Sequence, residues 1–180
     1  MDNEVLLAEL LDAERALVDA DLRFWASRAR GRVLELGCGT GRLMAQLRRR
    51  IEAASVKASA LPRVRGVFLE WLDPPYRAGH WTPDLLSLAG IDDPLARPGV
   101  PSVALSWDDV RRAQPALLVI APCGFDRDRA QREADSLTHA IDSTGAVKVV
   151  VLDGSAYFNR PGPRLVDSLE ILVSARTERP

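Results

Sequence analysis

Short apolar strands alternate with helical segments along most of the chain, and this alternation limits the fold more than any other feature. The clearest strand is Ala116 to Ala121, which is continuously apolar and bounded by Pro115 and Pro122. A strand of this kind is typical of a parallel sheet whose two faces are both covered. The sequence therefore predicts an α/β fold of three layers, with a mostly parallel sheet and helices on both faces.

Caps, prolines and apolar periodicity give the other elements. Proline lacks an N–H and restricts the residue before it, so Asp73-Pro-Pro75 must end a strand and begin a loop. The predicted strands are Arg32 to Leu36, Val64 to Glu70, Ser102 to Leu105, Ala116 to Ala121 and Val147 to Leu152. The predicted helices are one or two within residues 4–29, then Arg42 to about Ser59, Asp84 to Ala89, Trp107 to Ala113, Asp126 to Ile141 and Pro163 to Ala175.

Composition excludes several classes of function. With 24 Lys and Arg against 25 Asp and Glu the net charge is -1, which gives no electrostatic reason to expect nucleic-acid binding. No apolar run approaches the roughly 20 residues that a membrane span requires. Cys38 and Cys123 lie far apart without a CxxC or a histidine cluster, so we expect neither a disulfide nor a metal site. His80 and His139 form no recognisable catalytic arrangement.

The start of the chain is acidic and alternates apolar with charged residues, unlike a secretory signal. The product as written is therefore expected to be cytoplasmic. A change of composition at Leu61-Pro62 predicts two parts, residues 1–60 and residues 61–180. The first would hold the early helices and a strand, glycine turn and helix. The second would be a single sheet-based lobe.

The segment Val33 to Arg42 resembles motif I of class I S-adenosylmethionine-dependent methyltransferases. Glycine turns of this kind let the backbone approach a ligand closely, ahead of a helix N-terminus with unpaired amides. The resemblance implies that Gly37, Gly39 and Gly41 line the methionine and ribose parts of S-adenosylmethionine, with Glu35 beneath them. An acidic residue at the end of a second strand is expected about 20 residues later. The first candidate here is Glu70, so the same unit could equally serve only to complete the sheet.

A second pattern is the proline-stiffened aromatic loop within Phe68 to Trp81. Such a loop follows a predicted strand, and open α/β sheets bind ligands at the carboxyl ends of their strands. The string resembles the binding loop of cobalamin-type substrate-binding proteins of ABC importers. The resemblance implies that Tyr76 lies against the corrin ring, and Trp81 offers a second flat contact.

Three later segments resemble the same family in the same order. Trp107 to Val110 matches a segment that docks on the permease, which implies that role for Asp108 with Asp109 beside it. Pro122 to Phe125 and Val151 to Arg164 match strand-end ligand loops. The residues that the resemblance would place on the corrinoid are Tyr76, Trp81, Phe125, Tyr157, Phe158 and Arg160.

The leading hypothesis is a corrinoid or metal-chelate binding module with a periplasmic-binding-protein-like lobe, no catalytic residue and no required cofactor. Its partners would be cobalamin or a similar small molecule, an ABC permease, and a second lobe from another chain, because the family's first lobe is absent. The family is usually exported, in conflict with the start of this chain. The alternative is a small-molecule methyltransferase, or a hybrid of the two without a complete site. Calorimetry with S-adenosylhomocysteine would separate these hypotheses.

Overall fold

The computed structural model describes residues 42–160 and 164–177. The predicted helices of residues 4–29, the strand from Arg32 and the glycine turn lie outside these ranges. The described helices are α1 (Arg42–Ser59), α2 (Thr82–Leu88), α3 (Trp107–Arg112), α4 (Arg127–Ser136), α5 (Thr138–Ser143), α6 (Gly154–Tyr157) and α7 (Arg164–Thr177), and the strands are β1 (Val64–Leu72), β2 (Pro75–Arg77), β3 (Ile91–Asp92), β4 (Leu117–Ile120) and β5 (Lys148–Val151).

The strands form one sheet in the order β2-β1-β4-β5, with β3 also paired to β1. β1, β3, β4 and β5 are parallel, and only β2 runs antiparallel to its neighbour. The loops after β1, β4 and β5 therefore emerge at the same edge. The α/β prediction with a mostly parallel sheet is confirmed.

Alternate residues of the central strands enter two separate cores, as the pleat of a strand requires. Phe68 and Val119 belong to the core under α1, α2 and α7. Val67, Leu118 and Ile120 belong to the core under α3, α4 and α5. Helices therefore cover both faces of the sheet, which gives the three predicted layers.

In the layer of α1, α2 and α7, arginines join the helices to one another. Arg50 of α1 donates to Asp167 at 2.6 Å and to Glu170 at 2.7 Å on α7. Near the end of α7, Arg176 donates to the carbonyls of Ala58 at 2.9 Å and Ala89 at 2.8 Å. It also donates to the carbonyls of Leu61 and Pro62. One guanidinium thus holds the ends of α1, α2 and α7 together at the amino end of β1.

The predicted strand from Ser102 to Leu105 is wrong, since only Ala104 makes an isolated bridge there, to Tyr76. The prolines that favoured a loop after β1 are compatible with the short edge strand β2, because an edge strand can lack a donor. The predicted helix from Asp126 to Ile141 divides at Leu137, whose φ of -110° and ψ of 18° are not helical.

Every helix in the part of the chain that the structure describes is too short or too polar to cross a bilayer.

Candidate functional site

A cleft of about 770 Å³ opens at the carboxyl ends of the parallel strands. Its walls come from the end of β1, the segment through β2 to α2, the loop after β4 and the residues that follow α6. This is the edge where open α/β sheets place their ligand sites. The lining residues are Glu70, Trp71, Asp73, Pro74, Tyr76, His80, Trp81, Thr82, Pro101, Ser102, Cys123, Phe158 and Asn159.

Four aromatic rings converge on this cleft. Trp71 and Tyr76 lie opposite each other in the β1–β2 ladder, and the Trp71 indole N–H donates to the Asp73 carbonyl at 3.1 Å. Trp81 precedes α2, with its ring 5.8 Å from that of His80. Phe158 reaches the cleft from the opposite wall, while its ring packs on a core phenylalanine. The aromatic residues of the cleft thus come from three different parts of the chain.

Backbone hydrogen bonds hold the loop between β2 and α2. The Gly79 N–H donates to the Glu70 carboxylate at 2.9 Å. A side chain at Gly79 would collide with the backbone of residues 100–102, which passes directly over it. His80 has a φ of 53°, a left-handed conformation that its N–H bond to Val100 O at 2.7 Å helps to maintain. The Asp73-Pro74 peptide is cis.

The other wall is held by the short helix α6. Asp153 caps it by accepting from the Ala156 N–H at 2.6 Å. A Cβ at Gly154 would overlap the carbonyl of Pro122, so the start of α6 packs directly on the loop after β4. The Asn159 amide, with its nitrogen donating to the Gly154 carbonyl at 3.0 Å, accepts from the Gly124 N–H. These contacts fix Phe158 and Asn159 relative to β4.

Two carboxylates are among the polar groups of the cleft. Glu70 and Asp73 both line it, and His80 is the one imidazole among the described lining residues. Burial and then the charge of Glu70 raise the pKa of the Cys123 thiol. The thiol is therefore neutral at physiological pH and lies within the field of the Glu70 carboxylate.

The structure brings together three of the six residues that the sequence placed on a corrinoid. Tyr76, Trp81 and Phe158 line the cleft. Phe125 does not, because it is 5% exposed and lies beneath Trp71, with the ring centroids 4.9 Å apart. Tyr157 faces a separate groove beside α7.

Arg160 is exposed at the end of the first described range and is not part of the cleft wall. The expectation that all the aromatic strand-end loops converge on one face is therefore wrong for two rings. Phe125 is directed inward by the turn at Pro122 to Phe125, where the Phe125 N–H bonds to the Pro122 carbonyl at 3.2 Å. Tyr157 lies on α6 one residue before Phe158, so helical geometry sends the two rings in different directions.

Asp108 and Asp109, the predicted permease contacts, are engaged within their own helix. Asp109 forms a capping box with Ser106 and pairs with Arg112. These contacts lower the pKa of Asp109 to about 2, the bonds from Ser106 being the largest cause. Asp108 pairs with Arg111 at 2.9 Å. Docking through these exposed carboxylates stays a prediction.

Sequence reasoning missed Glu70, Trp71, Ser102 and Asn159 as wall residues. Trp71 stood in the aromatic motif, but strand alternation does not say which face of β1 its ring takes near a bulge. The register shift between Leu69 and Trp71 moves the two neighbours Glu70 and Trp71 to the same cleft. The position of Ser102 depends on a long loop, which local patterns do not encode.

The binding of S-adenosylmethionine at the glycine turn and the absence of a metal site both stay predictions. Glu35, Gly37, Gly39 and Gly41 lie outside the described residues. Within residues 42–160 and 164–177, no three His, Cys, Asp or Glu side chains are grouped to hold a metal ion.

No protein-family model matches the chain, and no curated protein matches it. Solved structures do match. The periplasmic vitamin B12 binding protein BtuF of Vibrio cholerae superposes with a TM-score of 0.61 at 18% identity, covering 79% of this chain and 57% of that one. The periplasmic heme-binding protein RhuT of Roseiflexus sp. RS-1 gives 0.58 at 22% identity, covering 75% and 54%.

A protein of an ABC-type Fe3+-hydroxamate transport system from Saccharomonospora viridis gives a TM-score of 0.60 at 21% identity, covering 95% of this chain and 55% of that one. The chain thus spans a little over half the length of each of these proteins. At such identities the likeness shows the fold alone. The described chain has the fold of a single lobe of a periplasmic binding protein, with its cleft at the carboxyl edge of the sheet.

Proposed function

We propose that this chain is a binding module for a flat metal chelate, a corrinoid such as cobalamin in the first instance, and that it supplies one wall of the ligand site. The observation that carries this proposal is the convergence of Trp71, Tyr76, Trp81 and Phe158 on one cleft of about 770 Å³. Rigid rings offer broad apolar contacts at a low cost in conformational entropy. Such walls suit a planar macrocycle better than a small polar solute.

The structural neighbours support the same class of ligand. They include binding proteins for vitamin B12 and for heme, and one from an Fe3+-hydroxamate transport system. We therefore propose a role beside an ABC importer, with the permease and the protein that supplies the second wall as partners.

A single wall should bind weakly. Because the chain spans 57% of the vitamin B12 protein, we expect it to supply by itself only part of the contact area of a two-lobed site. Buried area does not convert directly to affinity, because binding also costs the freedom of the ligand and of the side chains that hold it. With fewer contacts, less free energy is available to offset that cost. We expect the isolated chain to bind a corrinoid far more weakly than a complete two-lobed site would.

The test is a titration of the purified chain with cobinamide and with cyanocobalamin, followed by calorimetry and by tryptophan fluorescence corrected for absorption. Tyr76→Ala should weaken binding about tenfold, since loss of an aromatic contact costs roughly 1.4 kcal/mol. Trp107→Phe is the matched control, because Trp107 packs with the core on the other side of the sheet.

Saturable binding that Tyr76→Ala weakens and Trp107→Phe leaves intact would support the proposal. Heat and fluorescence changes that remain absent up to the solubility limit of both corrinoids would rule it out. Binding that is indifferent to Tyr76→Ala would place the ligand elsewhere on the molecule and would also contradict the proposal.

A further inference from the structure

The charge of the cleft comes from the side chains that line it. The lining side chains include two carboxylates, Glu70 and Asp73, while no Lys or Arg of the described chain is among them. Arg77 and Arg160 follow Tyr76 and Asn159 directly in sequence, yet neither contributes to the wall. This part of the molecule is therefore acidic, although the whole chain carries a net charge of only -1.

Six acids on the described surface are paired with arginines. Glu52, Asp92, Asp108, Asp109, Asp167 and Glu170 each lie within 4.0 Å of an arginine. Within the described residues, Glu70 and Asp73 have no such ion pair. Among the described residues, Glu70 accepts the Gly79 N–H, a neutral donor that brings no positive charge to the carboxylate.

The thiol of Cys123 lines the same cleft as the two carboxylates. Its pKa is raised first by burial and then by Glu70. Because the thiol is uncharged at neutral pH, it does not offset the two acids. His80 is the one imidazole among the described lining residues, and it is exposed at the rim.

Aromatic faces add to the effect. The face of an indole or phenol ring carries negative electrostatic potential, which attracts cations. The rings of Trp71, Tyr76 and Trp81 line the same cleft as the carboxylates. A flat cation gains from both features, whereas a flat anion would meet unfavourable charge and no arginine among the described lining residues.

We infer that the cleft selects flat ligands of net positive charge, such as cationic metal chelates, against anionic macrocycles of the same size. This inference rests on the proposed function, since it concerns the ligand class of the same cleft. It separates a cationic corrinoid from a macrocycle with free carboxylates, which the shape of the cleft alone does not do. The same charge would oppose ligands that carry phosphate or sulfonate groups.

A matched pair of porphyrins tests the inference. Tetrakis(N-methylpyridinium)porphyrin and tetrakis(sulfonatophenyl)porphyrin have the same ring and opposite charge. Binding is followed by the visible absorption of the porphyrin, at one fixed pH for every variant. At low ionic strength we expect the cation to bind about tenfold more tightly or better, and added salt should narrow the difference.

Variants locate the preference. Glu70→Gln keeps an oxygen for the Gly79 N–H, and Asp73→Asn keeps the shape of an exposed side chain. Each should reduce the preference for the cation about threefold, because each removes one nearby charge. Asp142→Asn removes the same charge from α5, on the far face of the sheet, and should leave the preference unchanged.

The outcomes distinguish a failure of the charge preference from a failure of the proposed binding function. Equal binding of the two porphyrins, reduced by Tyr76→Ala, would overturn the charge preference and leave the binding function standing. A preference for the anion would also overturn it. If neither the porphyrins nor the corrinoids bind, both the function and the preference fail. A cation preference that Asp142→Asn lowers as much as Asp73→Asn would show general surface attraction and refute the inference.

Discussion

At the amino end of β1, one guanidinium reaches the carbonyls of Ala58, Leu61, Pro62 and Ala89. At the carboxyl ends of β1 and β4, rings and carboxylates line an open cleft with few partners of their own. Both ends are formed by loops of the same sheet. The first end uses its polar groups to hold elements together, and the second leaves them available to a ligand.

This difference gives a working rule for the molecule. Substitutions at the amino end should lower the free energy of unfolding and leave ligand binding intact in the folded fraction. Substitutions in the cleft should change binding with little effect on stability. The experiments below test where that separation holds and where it fails.

Phe158 should be an exception to this rule, because it contributes both to the stability of the core and to the wall of the cleft. It is 4% exposed, packs on Phe68 with ring centroids 5.0 Å apart, and also lines the cleft. Phe158→Ala should lower the free energy of unfolding by about 3 kcal/mol through loss of buried area and a residual cavity. Urea denaturation measures this loss, and a corrinoid titration at low temperature should show weaker binding.

Phe125→Ala is the matched control for that variant. Phe125 is 5% exposed, with Trp71 on one side and the guanidinium of Arg129 lying 3.7 Å from its ring centroid. We expect a loss of stability of similar size and a smaller change in binding, since the ring does not reach the cleft. Phe158→Leu provides a milder variant if the alanine protein does not fold. Equal loss of binding in the two alanine variants would contradict the assignment of Phe158 to the wall.

Arg176→Met should lower the stability of the protein without changing its affinity for a ligand. Methionine keeps an apolar stem but removes donors to four carbonyls, so we expect unfolding to become easier by about 2 kcal/mol. Thermal and urea denaturation measure the change. Arg63→Met removes mainly an exposed ion pair with Asp92 and should cost less than about 1 kcal/mol. A corrinoid affinity altered in Arg176→Met would mean that the two ends are coupled.

The contrast between the two ends of the sheet also explains how much of the structure could be predicted from the sequence. The apolar run of β4 and the helix caps follow from local preferences, so the layers of the fold could be predicted. The cleft depends on the bulge in β1, on the path of residues 93–105 and on the direction of each ring from its backbone. Phe125 and Tyr157 looked equivalent to Phe158 as strand-end aromatics, yet packing sends them inward and to another groove.

Residue type also does not show which carboxylates are paired with an arginine and which are not. Asp108 and Asp109 stood out as docking residues, but arginines one turn later pair with both. Glu70 and Asp73 drew less attention and have no ion pair within the described chain. Whether a carboxylate is free to act depends on its neighbours in three dimensions.

The first turn of α3 gives the smallest expected effect and sharpens this last point. Ser106→Ala removes the N-cap and should cost about 1 kcal/mol at neutral pH. Since Ser106 is the largest cause of the low pKa of Asp109, about 2, the stabilisation from this carboxylate is present above the ordinary carboxyl pKa. It is lost as the pH falls towards 2. The stability gap between the wild type and Ser106→Ala, measured by urea denaturation, should therefore shrink between about pH 5 and pH 2. Corrinoid affinity at neutral pH should be the same in both proteins, because Asp109 lies outside the cleft. A gap that stays constant as the solution is acidified would show that Asp109 is not held by the cap.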